Sequence, residues 1–372
     1  MSAKLKIVYL DFDDIRNPLL GGGQAKTTYE IGKRLVKNGY KIEVISSKYP
    51  GWKDSYLDGI YYKHIGFTTR FIRLNNIIYI LSLPFAIQKI KADIIVECFT
   101  APVSTLLSPL WTNIPVIGLG TSFEADRFSK LYHLPFHLIE KFGSRLYKYF
   151  IAYTPFHENK MKSLNKNIFS TNIPEGVEEH YLTIKSKIPK HILFLGRFDM
   201  DQKGIDLLLK SYSKVESKIK YPLLIVGYGP DEAKIKRMVM DLKLEDRVKI
   251  TGPARGVLKD EILSQTLFVA MPSRSETFSL FTLEALASGL PVLIFDIPGL
   301  SWVGNKVCLR AKPFSVSSYS SLILKIADPK TNIDIRRKTK PFAKRFTWEK
   351  VTISFENFFK EILKKEEEVA YV

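Results

Sequence analysis

An α/β fold built as two similar lobes is what the sequence predicts, and three observations predict it. Short β-branched runs alternate with longer amphipathic stretches nearly throughout, the pattern of βαβ units on a parallel sheet. The 372 residues suffice for two domains at roughly 100–200 residues each. The alternation lapses once in mid-chain, over the polar, proline-bearing residues 173–191, and then restarts.

In the first half, strands are expected near residues 4–11, 41–46, 60–65, 93–98, 115–120, 149–153 and 167–172, with helices between most of them. The stretch TTYEIGKRLVKNG reads as a helix, with Tyr29, Ile31, Leu35 and Val36 on its apolar face and Gly39 as its stop. The second half repeats the alphabet with strands near 190–196, 221–227, 247–250, 267–271 and 291–295.

Apolar residues at 45% and charged residues at 25% are ordinary for a globular chain and exclude a disordered one. Fifty-six Lys and Arg against 38 Asp and Glu give a formal charge of +18, which favours a polyanionic partner: nucleic acid, an anionic membrane face or a phosphorylated small molecule. The basic excess is shared by both halves, which speaks against a dedicated nucleic-acid arm. Cys98 and Cys308 are far apart and without neighbouring ligands, so neither a disulfide framework nor a zinc site is indicated, and a reducing, cytoplasmic compartment is expected. The opening residues have neither the length nor the small-residue cleavage site of a secretory signal, so no export is expected, and the longest apolar run, residues 77–87, is too short to span a bilayer and carries Pro84. Any membrane contact is expected to be peripheral.

Four stretches carry side chains suited to chemistry. In SETFSLFTLEALASGLPV, Glu276 falls in the loop beyond a strand's carboxyl end and Glu284 about one turn into the next helix, whose first N–H groups, around Phe278, Ser279 and Leu280, point outward. Two carboxylates and a helix start suit sugar hydroxyls and phosphate, although a loop acid and a helix-start acid are also ordinary surface features. In FLGRFDMDQKGIDLLLKSY, Arg197 and Lys203 stand past another strand, Lys203 being read as opening the next helix. Cations at a helix start oppose its dipole and favour an anion between them, such as a diphosphate. Plain surface cations are the alternative. The glycines Gly21, Gly22 and Gly23 precede the first long helix and permit close approach of phosphate, or simple flexibility. The pattern is neither GxGxxG nor a P-loop. Finally, Ser122, Glu124 and Asp126 follow another first-half strand and could meet an acceptor or cap a surface loop.

Taken together and in their order, these stretches resemble the GT-B glycosyltransferases of the large retaining group called family 4. The resemblance runs from Gly21–Gly23 through IPEGV at 173–177, LGRFDMDQKGIDLLL, LLIVGYGPDEAKIKRM, RVKITGPAR and SETFSLFTLEALASGLPVL to FTWEKVTISFENFFKEIL. It implies two Rossmann-like lobes with parallel sheets facing a central cleft: an acceptor-side domain at 1–172, a nucleotide-sugar domain at 173–350, and a helix at 351–372 crossing back to the first. It also implies that Arg197 and Lys203 hold the donor diphosphate, Glu276 the donor sugar and Glu284 the ribose. The N–H groups of Phe278 to Leu280 and the glycine loop would line sugar and phosphate, and the backbone at Ala254 would meet the base. Many members place a histidine after the strand that here ends Gly120–Thr121–Ser122. Its lack leaves room for a GT-B epimerase or a non-catalytic sugar-nucleotide binder.

The expected reaction is retaining transfer of a hexose-type sugar from a nucleotide diphosphate sugar to a hydroxyl of a glycan or lipid-linked acceptor, without cofactor or metal. The Asp199/Asp201 pair is the weak candidate for a cation site. Residues 130–150, mixing Lys, Arg and aromatics, could rest on anionic lipid or pack on the sheet, which places the protein in the cytoplasm, optionally at the inner membrane face.

Overall fold

The computed structural model describes residues 5–20, 22–99, 107–120, 123 and 125–370, with backbone alone for 127, 128, 131, 132, 369 and 370. The chain divides into two compact units, one of residues 1–175 and 348–372, the other of 176–347. The first unit thus reaches three residues beyond the expected 172, and the C-terminal helix begins at Trp348 rather than 351.

Unit 1 holds an eight-stranded sheet in the order β3-β4-β2-β1-β5-β6-β7-β8. Its strands are β1 (Lys6–Leu10), β2 (Lys41–Ser47), β3 (Ser55–Leu57), β4 (Ile60–Ile65), β5 (Ile94–Phe99), β6 (Val116–Gly120), β7 (Tyr149–Ala152) and β8 (Phe169–Asn172). All pairs are parallel except β3 with β4. That short edge strand was not anticipated, although its turn, Asp58 and Gly59 at φ 48° and 83°, is the two-residue Asp-Gly hairpin that matches strand twist. Three residues are too few for a visible alternation.

Helices α1 (Gly23–Lys37), α2 (Ile72–Ile87), α3 (Ala125–Tyr132), α4 (Phe136–Gly143) and α5 (Pro155–Leu164) connect these strands. Helix α1 starts four residues before the expected TTYEIG stretch, with Gly22 as its N-cap, so two of the three glycines belong to a helix start rather than a loop. Residues 130–150 are not one helix: His133 at φ 55° and Pro135 separate α3 from α4, which ends at Gly143. One sheet face packs α2 and the α3–α5 region in a single core that includes Tyr79, Leu83, Ile87, Phe99, Phe150 and Met161. The C-terminal helix, Trp348–Ala370, packs on α1: Arg34 meets Glu349 at 2.7 Å and Asn38 donates to Glu356. It also stacks Phe358 on Phe169 of β8.

Unit 2 holds an all-parallel sheet in the order β11-β10-β9-β12-β13-β14. Its strands are β9 (His191–Arg197), β10 (Leu223–Tyr228), β11 (Val248–Thr251), β12 (Thr266–Met271), β13 (Val292–Phe295) and β14 (Cys308–Ala311). The last, CLRA, lacks the apolar run that marks the others and was not anticipated. Helices α6 (Glu179–Thr183), α7 (Met200–Lys203), α8 (Ile205–Ser213), α9 (Glu232–Asp241), α10 (Gly256–Ser264), α11 (Leu280–Ala287), α12 (Val316–Ala327) and α13 (Pro329–Ala343) complete it.

The chain fills this sheet outward from β9 through β10 to β11, then returns to the other side of β9 with β12. The strand order therefore reverses between β9 and β12, and a crevice opens outside the carboxyl ends of such a pair. In unit 1 the corresponding reversal lies between β1 and β5.

Phe355 of the C-terminal helix is fully buried, and truncating such a ring costs about 3–5 kcal/mol. Phe355→Ala is expected to lower the denaturant midpoint of unfolding accordingly while far-UV circular dichroism of the native protein stays unchanged.

Candidate functional site

The carboxyl ends of β9 and β12 carry the residues singled out above. Beyond β9, Asp199 caps α7 by accepting from the Gln202 N–H at 3.0 Å, and Asp231 accepts from the Met200 N–H at 2.8 Å. Both aspartates thereby fix a one-turn helix. Gly204 ends it in the left-handed region at φ 64°, where a Cβ would stand 2.0 Å from the Pro272 carbonyl oxygen. Only glycine lets this turn press on the loop after β12. Arg274 adds a clamp from that loop, pairing with both oxygens of Asp206 at 2.8 Å and donating to the Met200 carbonyl at 2.7 Å.

Lys203 therefore closes α7 instead of opening α8, and the argument from an opposed helix dipole does not apply to it. What it faces is a carboxylate. Its Nζ lies 2.7 Å from Glu276 Oε1, which also accepts from the Ser273 hydroxyl at 2.6 Å. The pair is mostly enclosed, with 18% and 6% of the two side chains exposed. Arg197, the last residue of β9, is exposed and has no ion-pair partner among the described residues. A cation that leaves its charge unbalanced beside a switch point is available to an anion.

Glu276 is also fixed through its backbone. Gly299 packs so closely that a Cβ there would sit 1.6 Å from the Glu276 carbonyl oxygen. Trp302 stacks on Phe278 at 4.1 Å and donates its indole N–H to the Phe278 carbonyl at 2.7 Å. Phe278 is accordingly a core side chain, so that only its backbone can serve a ligand. Ser279, the residue before α11, is held at φ 73° and makes no side-chain cap; its hydroxyl pairs with Thr282 at 2.9 Å. A left-handed non-glycine residue costs roughly 1–2 kcal/mol, and the side chain of this one caps none of the first N–H groups of α11.

Glu284 lies one turn into α11, buried, with Lys259 of α10 at 2.6 Å. It also hydrogen-bonds the Tyr181 hydroxyl, whose pKa burial and Glu284 together hold far above normal, so that the phenol stays a donor. Each of the two glutamates thus has its own lysine rather than a shared unpaired pocket. Lys259, Tyr181, Ser273 and Trp302 were not anticipated. No sequence periodicity links them to their partners, which are 24 or more residues away or, for Ser273, reached through a loop conformation. Ala254 is buried and lines a cavity of about 470 Å³ bounded by Leu223, Thr251, Leu258 and Ile262.

In unit 1, Gly21, Ser122 and Glu124 lie outside the described residues. The Gly22 N–H is already taken by Asp13 Oδ2 at 2.8 Å. Around the β1/β5 reversal several polar groups pair with one another: Thr28 donates to Asp11, Gln24 to the Cys98 sulfur and Tyr153 to Gln24. Burial pushes the Asp11 carboxyl and the Cys98 thiol up, as befits structural groups. Asp126 is exposed and shares an open notch with Ser129, Lys130, His133 and His137. On α5, His157 stacks on Phe123 at 5.8 Å and pairs with the Thr154 hydroxyl. It is buried, and desolvation, aided by Lys160, depresses its pKa to about 4, so it is a packing imidazole.

The two α/β units of the chain have the fold of GT-B glycosyltransferase structures. Sucrose-phosphate synthase from Thermosynechococcus elongatus aligns over 97% of this chain and 100% of its own, with TM-score 0.80 and 18% identity. An Anabaena protein, HepE, solved in complex with UDP-glucose, aligns over 97% and 100%, with TM-score 0.72 and 15% identity. Within unit 2, residues 183–344 match the family described as glycosyl transferases group 1. The O-antigen biosynthesis glycosyltransferase WclY of Escherichia coli is 31% identical over 169 residues, 44% of this chain and 45% of that protein. The chain spans about half the length of the curated relatives it matches.

Two outcomes follow from these contacts. Gly299→Ala forces the Glu276 backbone aside, and such overpacking costs about 1–3 kcal/mol; a lowered melting temperature is expected. His157, unfolded, binds a proton near pH 6.5, whereas folded it resists until about pH 4. The unfolded state therefore gains protons first, and stability is lost as pH falls through that window, by about 3 kcal/mol in all. Urea midpoints from pH 7 to pH 4 should show this loss, and His157→Gln should flatten it.

Proposed function

We propose that the protein is a retaining glycosyltransferase that moves a hexose-type sugar from a nucleotide diphosphate sugar to a hydroxyl of a glycan or lipid-linked acceptor. The observation that carries this reading is the Lys203–Glu276 pair at the β9/β12 reversal, beside the start of α11, whose first N–H groups are not capped by the Ser279 side chain. Cation, carboxylate and amides supply what a sugar diphosphate needs: charge for the diphosphate, an acceptor for sugar hydroxyls and donors for oxygens.

In this reading Lys203 and Arg197 hold the diphosphate and neutralise the charge that grows on it as the bond to C1 breaks. Glu276 accepts from the donor sugar. Glu284 receives the ribose hydroxyls, exchanging part of its bond to Lys259 for them, and the backbone at Ala254 borders the base. The departing oxygen takes the acceptor's proton on the face from which the nucleotide leaves, giving retention through an oxocarbenium-like state without a protein nucleophile. Support for a nucleotide-sugar donor comes from the Anabaena structure's UDP-glucose and, for a glycan acceptor, from the O-antigen relative. The fixed cations take the part that a divalent metal plays elsewhere, and the reaction is read as cytoplasmic and metal-free.

Losing one charge contact of this kind costs on the order of 3 kcal/mol, or ~10² in rate. Arg197→Ala and Lys203→Ala are each expected to lower kcat about that much in protein that remains folded, as checked by its melting curve. Near-normal turnover in both removes the diphosphate assignment. Transfer should persist in EDTA, and a nucleotide sugar at 100 times its Kd should add ~2.7 kcal/mol to stability; a donor panel read by thermal shift identifies which one does.

A further inference from the structure

Helix α2 is apolar on two opposite sides. Asn75, Tyr79, Leu83 and Ile87 face the sheet and are buried. Leu74, Ile77, Leu81 and Phe85, at i, i+3, i+7 and i+11, form a second stripe on the far side. That stripe is open: Ile77, Leu81 and Phe85 are 55%, 68% and 70% exposed, and Phe67 and Phe71, just before the helix, are 74% and 73% exposed. Large apolar side chains seldom stand so far out in a row unless something covers them.

Charge indicates what covers them. From Gly59 to Ala92 the sequence contains no Asp or Glu but five Lys or Arg. Arg70 and Arg73 lie at the start of α2 and Lys89 and Lys91 just past its end, all exposed. Basic residues at both ends of a helix whose outward stripe is purely apolar match a bilayer interface, where the stripe enters the acyl boundary and the cations meet anionic headgroups. A second helix over the same core has a similar composition. Helix α4 packs on the same sheet face through Phe136 and leaves Leu138 and Phe142 exposed, with Lys141 and Arg145 beside them.

We propose that this face of unit 1, centred on α2, docks on an anionic lipid bilayer, with α2 lying in the plane of the interface. The residue stretch 130–150 that the sequence singled out for lipid contact then forms the margin of the surface, not its centre. The inference stands apart from the transfer reaction, since it rests on no donor or catalytic residue.

Flotation of the full-length protein with vesicles of phosphatidylcholine and 30% phosphatidylglycerol tests it without any activity assay. Wild-type protein should float with these vesicles, with partitioning at least tenfold weaker on pure phosphatidylcholine. Leu81→Asp/Phe85→Asp should lose tenfold or more in partitioning at an unchanged melting temperature. Neutralising Arg70, Lys89 and Lys91 together to Gln should lose about a hundredfold, at roughly fivefold per charge. The proposal is overturned if wild-type protein stays with the lipid-free fraction, or if the Asp variant floats as well as wild type, which would reduce binding to diffuse charge attraction. Sedimentation showing a dimer that Leu81→Asp/Phe85→Asp dissociates, without flotation, would overturn it in favour of a second copy of the chain.

Discussion

The contact between Lys203 and Glu276 is the constraint around which unit 2 is arranged. A lysine and a glutamate taken largely out of water are tolerable only when they meet, because either one alone would carry an uncompensated desolvation cost of several kcal/mol. Their meeting depends on backbone proximity rather than side-chain reach. The turn at Gly204 rests against Pro272 and the loop at Glu276 rests against Gly299, both closer than any side chain permits. The charges are thus held by steric contacts made by residues that carry none. A site of this kind stays preorganised before any ligand arrives, which is the condition under which fixed charges stabilise a transition state without reorganising first.

Much of the fold was legible because burial on both faces of a parallel strand demands uninterrupted apolar sequence. Runs such as IIVECF and TLFVAM can hardly be read otherwise. The strands that escaped notice, β3 and β14, lie at sheet edges, where one neighbour is missing and the demand for apolar residues relaxes. The breaks inside residues 130–150 were written in Pro135 and Gly143, but the basic and aromatic composition of the stretch masked them.

For the site, sequence identified which residues matter in unit 2 but not how they pair. The position of Lys203 was misjudged because Asp199 and Gly204 cut four residues into a separate turn, a decision made by local capping rather than by periodicity. The pairing of Glu276 with Lys203 and of Glu284 with Lys259 is not written in the spacing of the two glutamates; the second depends on α10, whose approach to α11 is a tertiary matter. Likewise, the apolar character of residues 77–87 was plain in the sequence, whereas only the structure separates the half that faces the sheet from the half that faces outward.

The brevity of the outermost strands has a consequence for how the protein behaves in a crowd. The first sheet ends in β3 and β8, of three and four residues, and the second in β11 and β14, of four each. An unpaired ladder so short gives a stray chain little to hydrogen-bond to, so growth into cross-β assemblies is blunted at the four places where it would begin. The net charge of +18 adds repulsion between molecules, so geometry at the sheet borders and charge over the whole chain both favour colloidal stability.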